Sequence, residues 1–161
     1  MRSIKRKQGF TLIEILIAMV IMAFGLLGLA GLQASGLKQN QSAYLRSQAT
    51  ALAYDLADRV RANRSQIATY IAASSGTGTQ ATNCLNTTGC SALLMAAHDI
   101  YEWKLMIGSP PLNGTGSLTQ ASGAGTSTTS DDVYTITINW DDDRDGDIDT
   151  NDANFTVSFG L

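Results

Sequence analysis

The sequence predicts an α+β protein: a long N-terminal α-helix packed on a small antiparallel β-sheet, with a second short helix between them in the chain. Three observations predict it. The chain opens on an apolar run, continues into an amphipathic pattern with no Pro or Gly across residues 37–64, and closes on two segments alternating with period two.

The helix is divided by its own pattern. From Phe10 to Leu32 there are 23 residues whose only charge is Glu14, and a helix needs ~20 apolar residues to cross a bilayer core. Beyond it, Leu45, Ala49, Leu52, Ala53, Leu56 and Val60 recur at i, i+4, i+7, i+8 and mark a face for a core. Asp55 and Arg59 form an i, i+4 pair in the favourable order. Arg59, Arg61 and Arg64 read as a solvated face complementing the negative end of the helix dipole. Gly25, Gly28 and Gly31 fit either close approach by neighbouring helices or a softened segment.

The start of the chain has its own logic. Arg2, Lys5, Arg6 and Lys7 precede the span, so the positive-inside rule places the N-terminus in the cytoplasm. A secretory signal is cut after its apolar region. Here the only processing-like junction, Gly9-Phe10, lies before it, and cutting there keeps the apolar helix. The expected division is a removed leader at 1–9, a transmembrane half of the helix at 10–32, and a head on the far side of the membrane at 33–161 that includes the amphipathic half of the helix. Glu14 is a carboxylate in hydrocarbon, costing on the order of 2.5 kcal/mol or more if unpaired. The amine of Phe10, made by the cut, is its natural partner. The string Gly9-Phe10-Thr11-Leu12-Ile13-Glu14 resembles the processing site of type IV pilins and type II secretion pseudopilins. The resemblance implies that a prepilin peptidase cuts after Gly9, that the Phe10 amine is methylated, and that Glu14 docks on the preceding subunit's N-terminus.

In the head, residues 74–89 turn to Ser, Thr, Gly and Asn and read as a loop. Cys84 and Cys90, displayed in an oxidising periplasm, favour a disulfide; a two-cysteine metal site needs further ligands. Ser91 is the expected N-cap of a helix over Ala92–Ile107, stopped by Gly108 and Pro110. Its face is traced by Leu93, Ala97, Ile100, Lys104 and Ile107, with Trp103 as core and His98 as an ordinary surface residue. Residues 84–104 and the string Gly25–Gln33 resemble the minor-pilin family called type IV pilus modification protein PilV. That resemblance implies a minor pilin that helps to start pilus assembly or forms the tip complex, reaching the cell surface from the inner membrane. The implied partners are other minor pilins, the major pilin, the prepilin peptidase, the inner-membrane assembly platform and a tip adhesin. The alternative is a type II secretion minor pseudopilin, which shares the leader and Glu14.

Enzymatic function is not expected, since no nucleophile, base and oxyanion arrangement is visible. Removing residues 1–9 leaves 7 Lys+Arg against 14 acids, a net charge of −7, and charge of that sign suggests no nucleic-acid partner.

The sheet is expected from Val133–Trp140 and Ala153–Phe159, extended by a short strand over Gly116–Gln120. Seven of the acids fall in residues 141–152, between the two strands. Aligned on Asp141, the loop places Asp141, Asp143 and Asp145 at positions 1, 3 and 5, Gly146 at 6, Asp147 at 7, Ile148 at 8, Asp149 at 9 and Asp152 at 12. This is close to the EF-hand calcium loop. Carboxylates so crowded repel one another, and a hard divalent cation, Ca2+, is the simplest means of letting them converge. Two departures stand out: Asp152 is one methylene shorter than the usual Glu, and the flanks read as strands. The Asp at position 12 and the Gly-x-Ile core resemble dockerin calcium loops more closely.

Overall fold

The computed structural model describes residues 9–87, 89–121 and 132–161. Arg2, Lys5, Arg6 and Lys7 of the expected leader lie outside the described residues. The chain divides into two compact units, residues 1–41 and 42–161.

Helix α1, Leu12–Ala62, runs unbroken through Gly25, Gly28 and Gly31. In the first unit its apolar side chains are exposed all round, Leu16, Phe24 and Leu32 among them. Residues 12–32 rise about 32 Å at 1.5 Å per residue, enough for a hydrocarbon core of ~30 Å. Among the described residues this is the one helix long and apolar enough to cross a membrane.

The second unit is an α+β head. Within it α1 buries Leu45, Ala49, Ala53, Leu56, Ala57 and Val60, the face read from the sequence with Ala57 added and Leu52 at its margin. Two helices follow: α2 (Ile67–Ser74), reached through a 3₁₀ turn at Arg64–Gln66, and α3 (Ala92–Ile107). Ser91 caps α3 as expected, its hydroxyl accepting the Leu94 N–H at 3.3 Å. The antiparallel sheet has the order β1-β2-β3, from Thr115–Gln120, Val133–Asn139 and Asn154–Gly160. Leu118 stands opposite Ile136, and Ile136 opposite Val157, so one apolar row crosses all three strands.

Two features of α3 differ from the sequence reading. The buried side is Ala96, Ile100, Trp103 and Ile107, with Leu93 exposed and Lys104 half-buried beside it. The indole sets this rotation. Trp103 is fully buried, and its Nε1 donates to the Leu52 carbonyl of α1 at 2.9 Å, so the face centres on Trp103 rather than on Lys104. The Lys104 ammonium in turn donates to the Ser74 carbonyl, and burial lowers its pKa. His98 is the second difference: it is 4% exposed, not a surface residue.

Helix α2 was not anticipated, although Ile67, Tyr70, Ile71 and Ser74 have helical spacing. It closes one edge of the sheet. The buried Ser74 hydroxyl accepts the Leu118 N–H at 3.1 Å and lies 2.9 Å from the Leu118 carbonyl, occupying the groups that an additional strand would pair with. Replacing Ser74 by Ala leaves that amide and carbonyl unsatisfied in the interior. Thermal unfolding of the detergent-solubilised chain is expected to show a loss of about 1–3 kcal/mol; an unchanged midpoint would mean that the hydroxyl is dispensable.

Candidate functional site

The processing junction lies at the start of α1. Gly9 and Phe10 precede the helix and are exposed, with Phe10 79% accessible. Thr11 begins the helix: its Oγ1 accepts the Glu14 N–H at 3.3 Å, and its carbonyl accepts the N–H of Glu14 and Ile15. Thr11-Leu12-Ile13-Glu14 therefore also has capping-box spacing, a signal present in the sequence beside Glu14's charge and absent from the expectations above. Glu14, in the first turn, lies where the helix dipole favours an anion. The bond between Gly9 and Phe10 sits two residues ahead of the first helical residue, outside the hydrogen-bonded backbone.

The second constellation is a charge cluster inside the head. Arg59 donates through Nε to Asp55 Oδ2 at 3.0 Å, and through Nη1 to Asp99 Oδ1 at 3.0 Å and Glu102 Oε2 at 2.9 Å. The Asp55–Arg59 pair is the one expected. The solvated-face reading holds for Arg61 and Arg64, which are exposed, but not for Arg59, which is drawn inward by two carboxylates of α3. Nothing in the local sequence of α1 signals those partners, 40 and 43 residues away. Burial alone would lower the Arg59 pKa; the bonds to Glu102 and Asp99 reverse this and raise it. Tyr70 Oη donates to the other oxygen of Asp99 at 2.5 Å. Burial, then that bond, pushes the Tyr70 phenol above its usual value.

Cys84 and Cys90 are joined, with Cα atoms 4.8 Å apart. Cys84 itself lies within a 3₁₀ turn at Thr82–Leu85.

The acidic loop connects β2 to β3. It brings ligand atoms of Asp141, Asp143 and Asp145 within 4.8 Å of one another. The Asp141 carboxylate also accepts the N–H of Arg144 and Gly146, Asp143 that of Asp145, and Asp145 that of Asp147. Gly146 takes φ 100° at the turn, the left-handed backbone expected at position 6. The remaining three candidates stand apart from this group. Asp147 is exposed, and Asp149 accepts from the Asn151 N–H. Asp152 accepts the N–H of Asp149 and of Asp142 with its two oxygens, and these bonds hold its carboxyl below the usual range. Asp142, which the ligand pattern passes over, fastens the loop to the head. It accepts from Trp140 Nε1 at 3.3 Å and from the Ser42 hydroxyl of α1 at 3.1 Å.

Comparison with protein families places both ends of α1. Residues 4–30 match the prokaryotic N-terminal methylation motif, and residues 31–101 match the Tt1218-like family, type IV pilin Tt1218. The chain is a type IV pilin. The methylation motif covers the Gly9-Phe10 junction and Glu14, and the pilin match runs from the second half of α1 through α2 and the disulfide into α3. The sheet and the acidic loop of this pilin lie beyond both matches. No curated protein and no solved structure matches the chain. The family is one of structural subunits, and with its apolar N-terminal helix the chain fits an inner-membrane-anchored pilin.

Two outcomes follow from the charge cluster. Arg59→Met leaves Asp99 facing the interior with only Tyr70 as partner, and is expected to lower stability by on the order of 2–3 kcal/mol in thermal melts. A phenol whose folded pKa is raised contributes stability that is complete below its unfolded value of about 10 and is lost as pH rises through the folded value. Stability measured by denaturant titration should therefore fall above about pH 10, and Tyr70→Phe should flatten that fall, leaving the part due to Tyr134, whose phenol is also raised by burial and Asp132.

Proposed function

We propose that this pilin is a minor subunit of the type IV pilus, of the PilV kind, which helps to start assembly or forms part of the tip complex. The observation that carries the reading is the resemblance over residues 25–33 and 84–104, the second of which holds the disulfide and most of α3. In this reading the prepilin peptidase cuts after Gly9 and the exposed Phe10 amine is methylated. Glu14 then pairs with the N-terminus of the preceding subunit while the chain passes from the inner-membrane assembly platform into the filament. Its neighbours are other minor pilins and the major pilin, with a tip adhesin as a further partner. The head remains periplasmic until the pilus carries it to the surface.

Deleting the gene is expected to reduce surface pili while leaving protein secretion intact. Normal piliation with defective secretion would instead support the minor pseudopilin role. Gly9→Val should accumulate as uncut precursor on mass spectrometry. Glu14→Ala should be cut normally and yet be lost from sheared pili. A Glu14→Ala variant that enters pili at the wild-type level would remove Glu14 from the assembly step.

We further propose that the acidic loop binds Ca2+ through Asp141, Asp143 and Asp145, with Asp147, Asp149 and Asp152 completing the shell. The approach of the first three carboxylates supports it, as does the left-handed turn at Gly146. Asp147 supplies its carbonyl, the group that position 7 offers in such loops. Calorimetric titration of the full chain in detergent is expected to give one site with Kd on the order of 10⁻⁵–10⁻³ M. Asp145→Ala should weaken binding about tenfold or more; no heat with either protein would remove calcium from the account.

A further inference from the structure

The segment that leads into the disulfide loop, residues 78–81, is held on α3 by three contacts close to the backbone. Gly78 adopts φ 71° and lies so near the helix that a Cβ there would stand 2.4 Å from the Tyr101 nitrogen. The Thr79 N–H donates to the Ala97 carbonyl at 3.2 Å. The Ala81 N–H donates to His98 Nδ1 at 3.3 Å.

The third contact differs from the other two in depending on a proton. Because Nδ1 accepts, the neutral imidazole carries its hydrogen on Nε2. That nitrogen is buried without a hydrogen bond and faces Glu102 Oε1 at 3.4 Å. Among the described residues, the charged or titratable groups of the helices packed here come from one cluster. Asp99 and Glu102 come from α3 itself, where Tyr101 also stacks on the imidazole at 6.3 Å between centroids. Arg59 and Asp55 come from α1, and the Tyr70 phenol of α2 sits on Asp99. Residues 78–81 are Gly, Thr, Gln and Ala and bring no charge. Three carboxylates therefore surround one guanidinium, and a second cation is electrostatically welcome on the Nε2 side. On the Nδ1 side it is not. A proton added there points at the Ala81 N–H, and two donors cannot share a hydrogen bond.

We propose that His98 is a proton-operated latch on the segment leading to Cys84. Neutral, it holds Ala81 against α3. Charged, it strengthens its pairing with Glu102, loses Ala81, and frees the chain ahead of the disulfide, with Thr79 and Gly78 as the remaining attachment. The device makes the surface around the Cys84–Cys90 loop sensitive to the acidity outside the inner membrane, in a head whose helices and sheet are otherwise unchanged.

The test is amide hydrogen exchange of the full chain in detergent micelles, read at Ala81 and corrected for intrinsic exchange, between about pH 8 and about pH 5, the interval across which imidazoles change charge. Protection at Ala81 is expected to fall about tenfold or more at the lower pH, while α3 amides such as Ile100 keep theirs. His98→Gln, neutral throughout, should abolish the pH dependence. Equal protection of Ala81 at both pH values in the wild type would overturn the proposal, as would the same acid-induced loss in His98→Gln. Glu102→Gln gives a second reading in a fold that keeps His98. With the facing carboxylate removed, the midpoint of opening should move to lower pH, and an unmoved midpoint would break the link between the latch and the cluster.

Discussion

The head depends on one guanidinium meeting carboxylates from two helices. Arg59 projects from α1 and is bonded to Asp55 on its own helix and to Asp99 and Glu102 on α3, while Asp99 is also bonded to Tyr70 of α2. A charge pair taken out of water gains little unless its remaining hydrogen-bonding capacity is filled. Here Asp99 has a partner on each oxygen, and Arg59 uses both Nε and Nη1. The cluster therefore acts less as a source of net stability than as a constraint on register, since sliding α3 by one residue against α1 would remove its partners. Packing agrees with it. The Trp103 indole is fixed at the same helix pair by its bond to the Leu52 carbonyl, and Ile100 and Ile107 fill the face on either side.

That constraint explains which parts of the fold were legible in the sequence. Elements whose signal is local were read closely: the core stripe of α1, the Ser91 cap, the three strands to within about one residue, and the disulfide in its Ser/Thr-rich loop. What the sequence did not carry was decided by partners distant in the chain. The face of α3 was misplaced because Lys104 and Trp103 are adjacent, and only the carbonyl of Leu52 determines which of them turns inward. Arg59 and His98 read as surface residues because their partners arrive through tertiary contact. Helix α2 and the capping spacing at Thr11 are a different case, for in both the local pattern is present in the sequence itself.

The family matches divide the chain in a similar way. The methylation motif and the pilin match together run from residue 4 to residue 101, covering the elements that a subunit needs for processing and for building a head on α1. The acidic loop falls beyond them, on the hairpin between β2 and β3. In the processing region the candidate residues were legible because short-range chemistry places them: a bond ahead of a helix, a cap, and a charge in the first turn. In the loop the spacing of the acids was legible, but the use each carboxylate makes of the backbone was not.

That use bears on how the loop would meet a cation. Asp141, Asp143 and Asp145 converge while each accepts backbone N–H groups, so part of their mutual repulsion is already offset by amide dipoles. Asp152 does the same at the far end, bridging the amides of Asp142 and Asp149, and so ties the end of the loop to its start. Asp142 then fixes that start to buried Trp140 and to Ser42 of α1. The proposed site is thus closed by protein hydrogen bonds before any ion enters. A cation would have to draw Asp147 and Asp149 inward and compete for Asp152 with two amides, and some of its binding energy would go into that rearrangement. On this argument the loop suits an ion held at the higher calcium concentrations outside the cytoplasm better than one captured at trace levels. Its Asp152, a methylene shorter than the usual Glu, already uses both oxygens to bridge two backbone amides.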